Sequence, residues 1–268
     1  MNFSAKKATR FAALFLAAAL AASMICGSAA TAKKPAQTTV TVFAAASLTE
    51  SFTELANDLL KSDNIKVNFD FAGSQALVQA VEQGTKADVL AFASESYMKQ
   101  MKTEGYVKSY SIFAKNTLVA CKLKFNKKTL TKLTDLGQPG VEIIAGDKTV
   151  PCGSYFDTVV KKSNLTDEQK SAINANIKSR EMSVKDVLAK IMAGVGDFGI
   201  VYTTDITKPV KDSVTEIDLP EFTAAKPLYP IALVNSCQNL AGANKFISLV
   251  QSAHGKNVLK RYKFIISK

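Results

Sequence analysis

Tryptophan is absent from the 268 residues, and histidine occurs once, at His254. A single histidine excludes a site built from several imidazoles, and no Cys/His grouping has zinc spacing, so no bare metal cation is expected. Of four cysteines, only Cys121, Cys152 and Cys237 lie beyond residue 32. An odd number leaves at least one thiol free unless chains pair. Cys121 and Cys237 both fall on predicted strands, where a disulfide and burial as small apolar side chains are both open readings. The G-x-S-x-G elbow of serine hydrolases is missing. A hydrolase using Ser47 or Cys152 as nucleophile would have only His254 as a histidine base, in a different segment. His254 itself reads as a capping or surface residue at a helix start.

Long apolar runs are also lacking. Phe11–Ile25 is apolar but short of the roughly 20 residues that span a membrane. Lys6, Lys7 and Arg10 precede it, and Ala30–Ala32 supplies small residues for cleavage. Residues 1–32 therefore read as a secretory signal peptide cleaved near Ala32. The rival reading, lipoprotein processing at Cys26, is disfavoured by the bulky Ile25 before it. The expected mature protein is exported, periplasmic or at the cell surface, and not membrane-spanning.

The formal charge is +11. The leader carries three cations and no acids, so the mature chain stands near 11 − 3 = +8. That balance favours anionic partners, although most of the lysines read as a solvated exterior. Nucleic acid is not expected, because no basic run with interleaved aromatics suggests a strand-binding groove.

From Thr39 onward strand and helix patterns alternate. "TVTVFAA" is β-rich, and in "LTESFTELANDLLK" Leu48, Phe52, Leu55, Leu59 and Leu60 lie close to helical spacing. "IKVNFDF", "SQALVQAVEQG", "ADVLAFA" and "SESYMKQMKTEG" continue the alternation. Three βα units in a row imply a mostly parallel sheet covered by helices. The second half repeats the style through "NTLVACK", "VEIIAG", "SYFDTVVKKS", "TDEQKSAINANI", "IKSREM", "VKDVLAKIMAG", "DFGIVY" and "LYPIALV". Thr203–Pro227 looks peripheral. Two helical segments close the chain. The series is too long for one compact sheet, so two α/β lobes are expected.

Several predicted helices start just after strands: at Ser47, at Gly73-Ser74, at "PCGS" (Pro151–Ser154) and at "MSVKD" (Met182–Asp186). Ser183 is an N-cap candidate, with Asp186 three residues on as in a capping box. Strand ends of open α/β sheets form the ligand crevice. Helix starts carry unpaired N–H groups and positive partial charge, enough for an anion site without any lysine or arginine. Each serine taken alone is an ordinary cap. The set suggests a two-lobed exported anion binder.

"VTVFAAASLTE", "FAGSQALVQAVEQGTKADVLAFAS", "GDKTVPCG", "GDFGIVY" and "YPIALV" carry a resemblance over nearly the whole mature chain. Together they resemble the periplasmic molybdate- and tungstate-binding proteins of ABC importers. That family implies the type II periplasmic-binding fold, with a ligand cleft between two lobes. One lobe would be 39–116 plus 230–268 and the other 117–229, with crossings near Thr117 and Tyr229. It implies a non-enzymatic monomer with no cofactor, which captures a tetrahedral oxyanion and delivers it to a membrane permease. Site roles follow by the same resemblance: hydroxyl and N–H donors at Ser47 and Ser74, backbone N–H donors at Cys152 and Val184, and the hydroxyl of Tyr202. Sulfate or another tetrahedral oxyanion is the alternative ligand. Molybdate and tungstate are fully ionised near neutral pH and only accept hydrogen bonds, so a donor-only site suits them. Two departures stand out: Lys148, where the family often has proline, and Cys152, where it commonly has alanine.

Overall fold

The computed structural model describes residues 36–266. The expected signal peptide and Cys26 lie outside them. The described residues form two five-stranded sheets.

The first sheet is built from β1 (Thr38–Ala45), β2 (Ile65–Ala72), β3 (Val89–Ala91), β4 (Ser111–Lys115) and β10 (Leu228–Leu233). β1 pairs in parallel with β2 and β3, and β10 runs antiparallel to β3 and β4. Helices α1 (Thr49–Asp63), α2 (Ser74–Glu82) and α3 (Glu95–Thr103) follow the first three strands. In α1 the buried Phe52, Leu55, Ala56 and Leu59 form one stripe, the spacing of an amphipathic helix. The helix ends at Asn64, whose φ of 55° is left-handed, a stop that asparagine tolerates. Phe52 meets Phe246 edge-on at 5.3 Å and lies 5.7 Å from Phe113. Burying such a ring contributes about 1.5–3 kcal/mol.

The second sheet contains β5 (Leu118–Leu123), β6 (Ile143–Gly146), β7 (Ile177–Glu181), β8 (Phe198–Tyr202) and β9 (Val214–Ile217). Here β6 is parallel to β7 and β8, whereas β5 is antiparallel to β8 and β9. Its helices are α4 (Pro151–Lys162), α5 (Asp167–Ala175), α6 (Val184–Met192) and the short α7 (Lys208–Lys211). The chain then returns through β10 to α8 (Leu240–Gln251) and α9 (Ala253–Arg261) beside the first sheet. Among the described residues no helix is long and apolar enough to cross a membrane.

Some expectations from the sequence need correction. Thr203–Pro227 is not merely peripheral. It contains the edge strand β9, the wholly buried Asp205, and Phe222, which packs edge-on against Phe156 at 6.3 Å. β4 has no counterpart in the sequence reading, because "SIFAK" carries no turn signal that separates it from its neighbours. Cys121 and Cys237 are free thiols. Cys121 is buried, and burial pushes its thiol up to about 12. Cys237 Sγ donates to Asp88 Oδ1 at 3.2 Å. Asp88 also accepts from the backbone N–H groups of Thr41, Gln238 and Asn239. These bonds hold its carboxyl below the usual range, although burial works the other way.

Candidate functional site

The parallel strands of both sheets end toward one small cavity. Ala45 and Ala72 are paired neighbours at the ends of β1 and β2, and both line it, as does Ala93 just beyond β3. Their methyl groups clear a space that larger side chains would fill. From the other sheet come the start of α4 after β6, the start of α6 after β7, and Tyr202 at the end of β8. The cavity has room for the centre of a water-sized sphere over about 10 Å³. It suits one small polyatomic group, not a sugar or a peptide.

All five residues singled out in the sequence, Ser47, Ser74, Cys152, Val184 and Tyr202, line this one cavity and are buried. Val184 is the first residue of α6 and Cys152 the second of α4. Their N–H groups belong to first turns, which lack intrahelical acceptors. Pro151 at the first position of α4 has no N–H to waste there. Gly153 lets α4 sit close on β6: a Cβ there would lie 2.2 Å from the Asp147 carbonyl oxygen. Gly73 does the same between the lobes, where a Cβ would stand 2.4 Å from the Met182 oxygen.

Ser47 and Ser74 are not caps. Ser47 lies inside a 3₁₀ turn (Ala46–Leu48), and neither that turn nor α1 has a side-chain cap. Its Oγ instead meets Tyr229 Oη at 2.8 Å. Ser74 is the first residue of α2, and its Oγ accepts the Ala93 N–H at 3.0 Å, which leaves its own proton to donate. Ser183 is the N-cap of α6: its Oγ accepts from the Asp186 N–H at 3.2 Å. The reciprocal bond differs from a capping box, because the Ser183 hydroxyl donates to the Asp186 carboxylate at 2.7 Å.

Tyr202 Oη is buried in the cavity wall, without a hydrogen-bond partner among the described residues. Leaving such a group unpaired costs about 1–3 kcal/mol. Burial holds the phenol well above its ordinary range, so it keeps its proton and can donate. The Cys152 thiol lies close against β6: a Cβ on Gly146 would stand 2.7 Å from its Sγ. Burial pushes it up to about 12, so it is neutral.

Two groups escaped the sequence reading. Asp205 is wholly buried behind Tyr202, and its Oδ2 accepts the Tyr202 N–H at 3.0 Å. Lys185 Nζ lies 3.4 Å from the other Asp205 oxygen and 2.7 Å from Glu50 Oε1 of the first lobe. Lys185 thus ties the lobes together. Gln75 Nε2 donating to the Met182 oxygen at 2.8 Å and Tyr97 Oη donating to the Thr149 oxygen at 2.6 Å do likewise. No local pattern marks Asp205, because its partners come together only in the fold. His254 pairs with Asp58 at the surface and takes no part in the cavity.

Burial raises the Asp205 carboxyl to about 6 from 3.8, against the pull of Lys185. A raised value means the folded state favours the protonated form. That stability is fully present below about pH 4 and is lost as pH rises through about 6. From pH 5 to 7 the loss is about 1 kcal/mol, or roughly 2–4 °C in a chain of this size. Melting of Asp205→Asn should lack this decline, so the parent should lose ground to the variant across that interval. Parallel melting curves from pH 5 to 7 would contradict the assignment.

A family model of bacterial extracellular solute-binding proteins matches residues 40–265. The chain is 34% identical over 258 residues to the molybdate-binding protein ModA of Mycobacterium tuberculosis, covering 93% of this chain and 95% of that one. In fold it is similar to the periplasmic molybdate-binding protein of Azotobacter vinelandii, with a TM-score of 0.74 at 18% identity over 85% of this chain and all of that one. The sulfate-binding protein SubI of M. tuberculosis matches equally in shape, with a TM-score of 0.74 at 19% identity over 85% of this chain and 86% of that one.

Proposed function

The chain belongs to the bacterial extracellular solute-binding protein family, and we propose that it captures molybdate or tungstate outside the cytoplasm and delivers it to the permease of an ABC importer. The observation that carries this reading is the buried hydroxyl of Tyr202, without a partner among the described residues, in a cavity that Ser47, Ser74 and the first turns of two helices also line. Among the described residues no charged side chain lines the cavity. The proposed ligand set is the hydroxyls of Ser47, Ser74 and Tyr202 with the backbone N–H groups of Ser47, Ser74, Cys152 and Val184. Every one donates, and a fully ionised tetrahedral dianion only accepts. Monohydrogen phosphate carries a proton that would find no carboxylate acceptor among the described residues lining the cavity. Neutral dipoles suffice because hydrogen bonds to a charged partner in a water-poor site are strong.

Ser47 and Ser74 would approach from one lobe, residues 39–116 with 230–268, and Cys152, Val184 and Tyr202 from the other, residues 117–229. The anion would thus hold the lobes closed. Cleavage near Ala32 would release the mature monomer. Crystals grown with tungstate test the reading through anomalous scattering. One strong peak within hydrogen-bond reach of Ser47, Ser74 and Tyr202 is expected. A peak elsewhere, or none, would overturn it.

A further inference from the structure

The sequence gives Tyr229 no role beyond its strand, and nothing in the ligand set includes it. It is fully buried, and its hydroxyl stands 2.8 Å from Ser47 Oγ and 2.9 Å from Asn116 Nδ2. Asn116 lies between β4 and β5, where the chain crosses from one lobe to the other. Its backbone N–H donates to the Pro227 oxygen beside the return crossing.

The direction of every bond in this chain can be deduced. Asn116 Oδ1 accepts the Thr117 backbone N–H at 2.9 Å. A backbone N–H can only donate, so the amide orientation is fixed. Its nitrogen then donates to Thr204 Oγ1 at 2.8 Å and to Tyr229 Oη. Tyr229 Oη therefore accepts from Asn116 and has one proton to place. Ser47 Oγ is the remaining partner within reach. Donation to Ser47 is the arrangement that gives the Tyr229 proton a partner among the described residues, and it leaves the Ser47 proton for the cavity. Burial keeps the Tyr229 phenol well above its ordinary range, so the proton is retained.

We infer that Tyr229, itself oriented by Asn116, is a positioning residue that turns the Ser47 hydroxyl outward as a donor to the oxyanion. The inference rests on the proposed ligand. It adds that the site's donor character is set from the lobe crossing, since Asn116 also holds Thr204 of the second lobe. Without Tyr229 the Ser47 hydroxyl would lose its donor from behind and turn freely.

A double-mutant cycle tests this, with molybdate titrated calorimetrically into the mature chain. Tyr229→Phe removes one oxygen and keeps the ring. It should weaken molybdate binding about tenfold where Ser47 is present. In the Ser47→Ala background the same change should cost less than about twofold. A merely structural Tyr229 would cost the same in both backgrounds, and that result overturns the inference, as does an unchanged affinity in Tyr229→Phe. Should Tyr229→Phe fail to fold, Asn116→Asp serves in the same cycle. Its carboxylate accepts from Tyr229 and reverses the chain, so its loss should again be larger with Ser47 than without. The added charge acts in both backgrounds and cancels. A parent chain that binds neither molybdate nor tungstate would sink the ligand reading, and this inference with it. Binding by the parent with no coupling sinks this inference alone.

Discussion

Molybdate or tungstate at about 1,000 times its Kd should raise the melting temperature by roughly 8–16 °C, and phosphate at the same concentration should raise it far less. A ligand that binds only the folded state at that excess adds about 4 kcal/mol, and each kcal/mol shifts melting by about 2–4 °C in a chain of this size. Circular dichroism is the suitable readout, since the sequence offers no tryptophan for fluorescence. Discrimination comes from the donor-only wall. The proton of monohydrogen phosphate would find no carboxylate to accept it among the described residues that line the cavity. Equal shifts with molybdate and phosphate would contradict the donor-only reading.

The parts of this site that were legible in the sequence are those whose signal is local. The strand-end alanines, Ser74 after Gly73, and the helix starts at Pro151 and Val184 sit where a β pattern gives way to a helical one. The resemblance then placed Tyr202 at the end of a strand. What was not legible depends on distant segments. Ser47 read as a cap, whereas its actual partner is 182 residues away. Asp205 and Lys185 are 20 positions apart in sequence and meet across the start of α6. β4 and β9 are short and lie at sheet edges, so they lack the long alternation that reveals a strand. Cys237 is free and donates to the Asp88 carboxylate, a partner that no cysteine count could indicate.

The hydroxyls of Ser47 and Tyr202 approach from opposite lobes, so their loss should show in affinity well before it shows in folding. A hydrogen bond to a charged partner contributes roughly 1.5–3 kcal/mol, equivalent to about a ten- to hundredfold change in Kd. Ser47→Ala removes no cap, because Ser47 caps no helix. It takes away one of the two partners of Tyr229 Oη, so its ligand-free melting point should fall slightly. Tyr202→Phe differs in sign. It removes a buried oxygen that has no partner and keeps the ring against Tyr229, at 6.2 Å between centroids. Its ligand-free melting point should hold or rise.

Because the orphaned Tyr202 hydroxyl carries the functional reading, the molybdate affinity of Tyr202→Phe against the parent is the most direct measurement. The expected result is a ten- to hundredfold weaker Kd with ligand-free melting no lower than the parent's. Parent-like affinity in Tyr202→Phe would show that the hydroxyl is a packing group and that the two lobes do not clamp an anion through it.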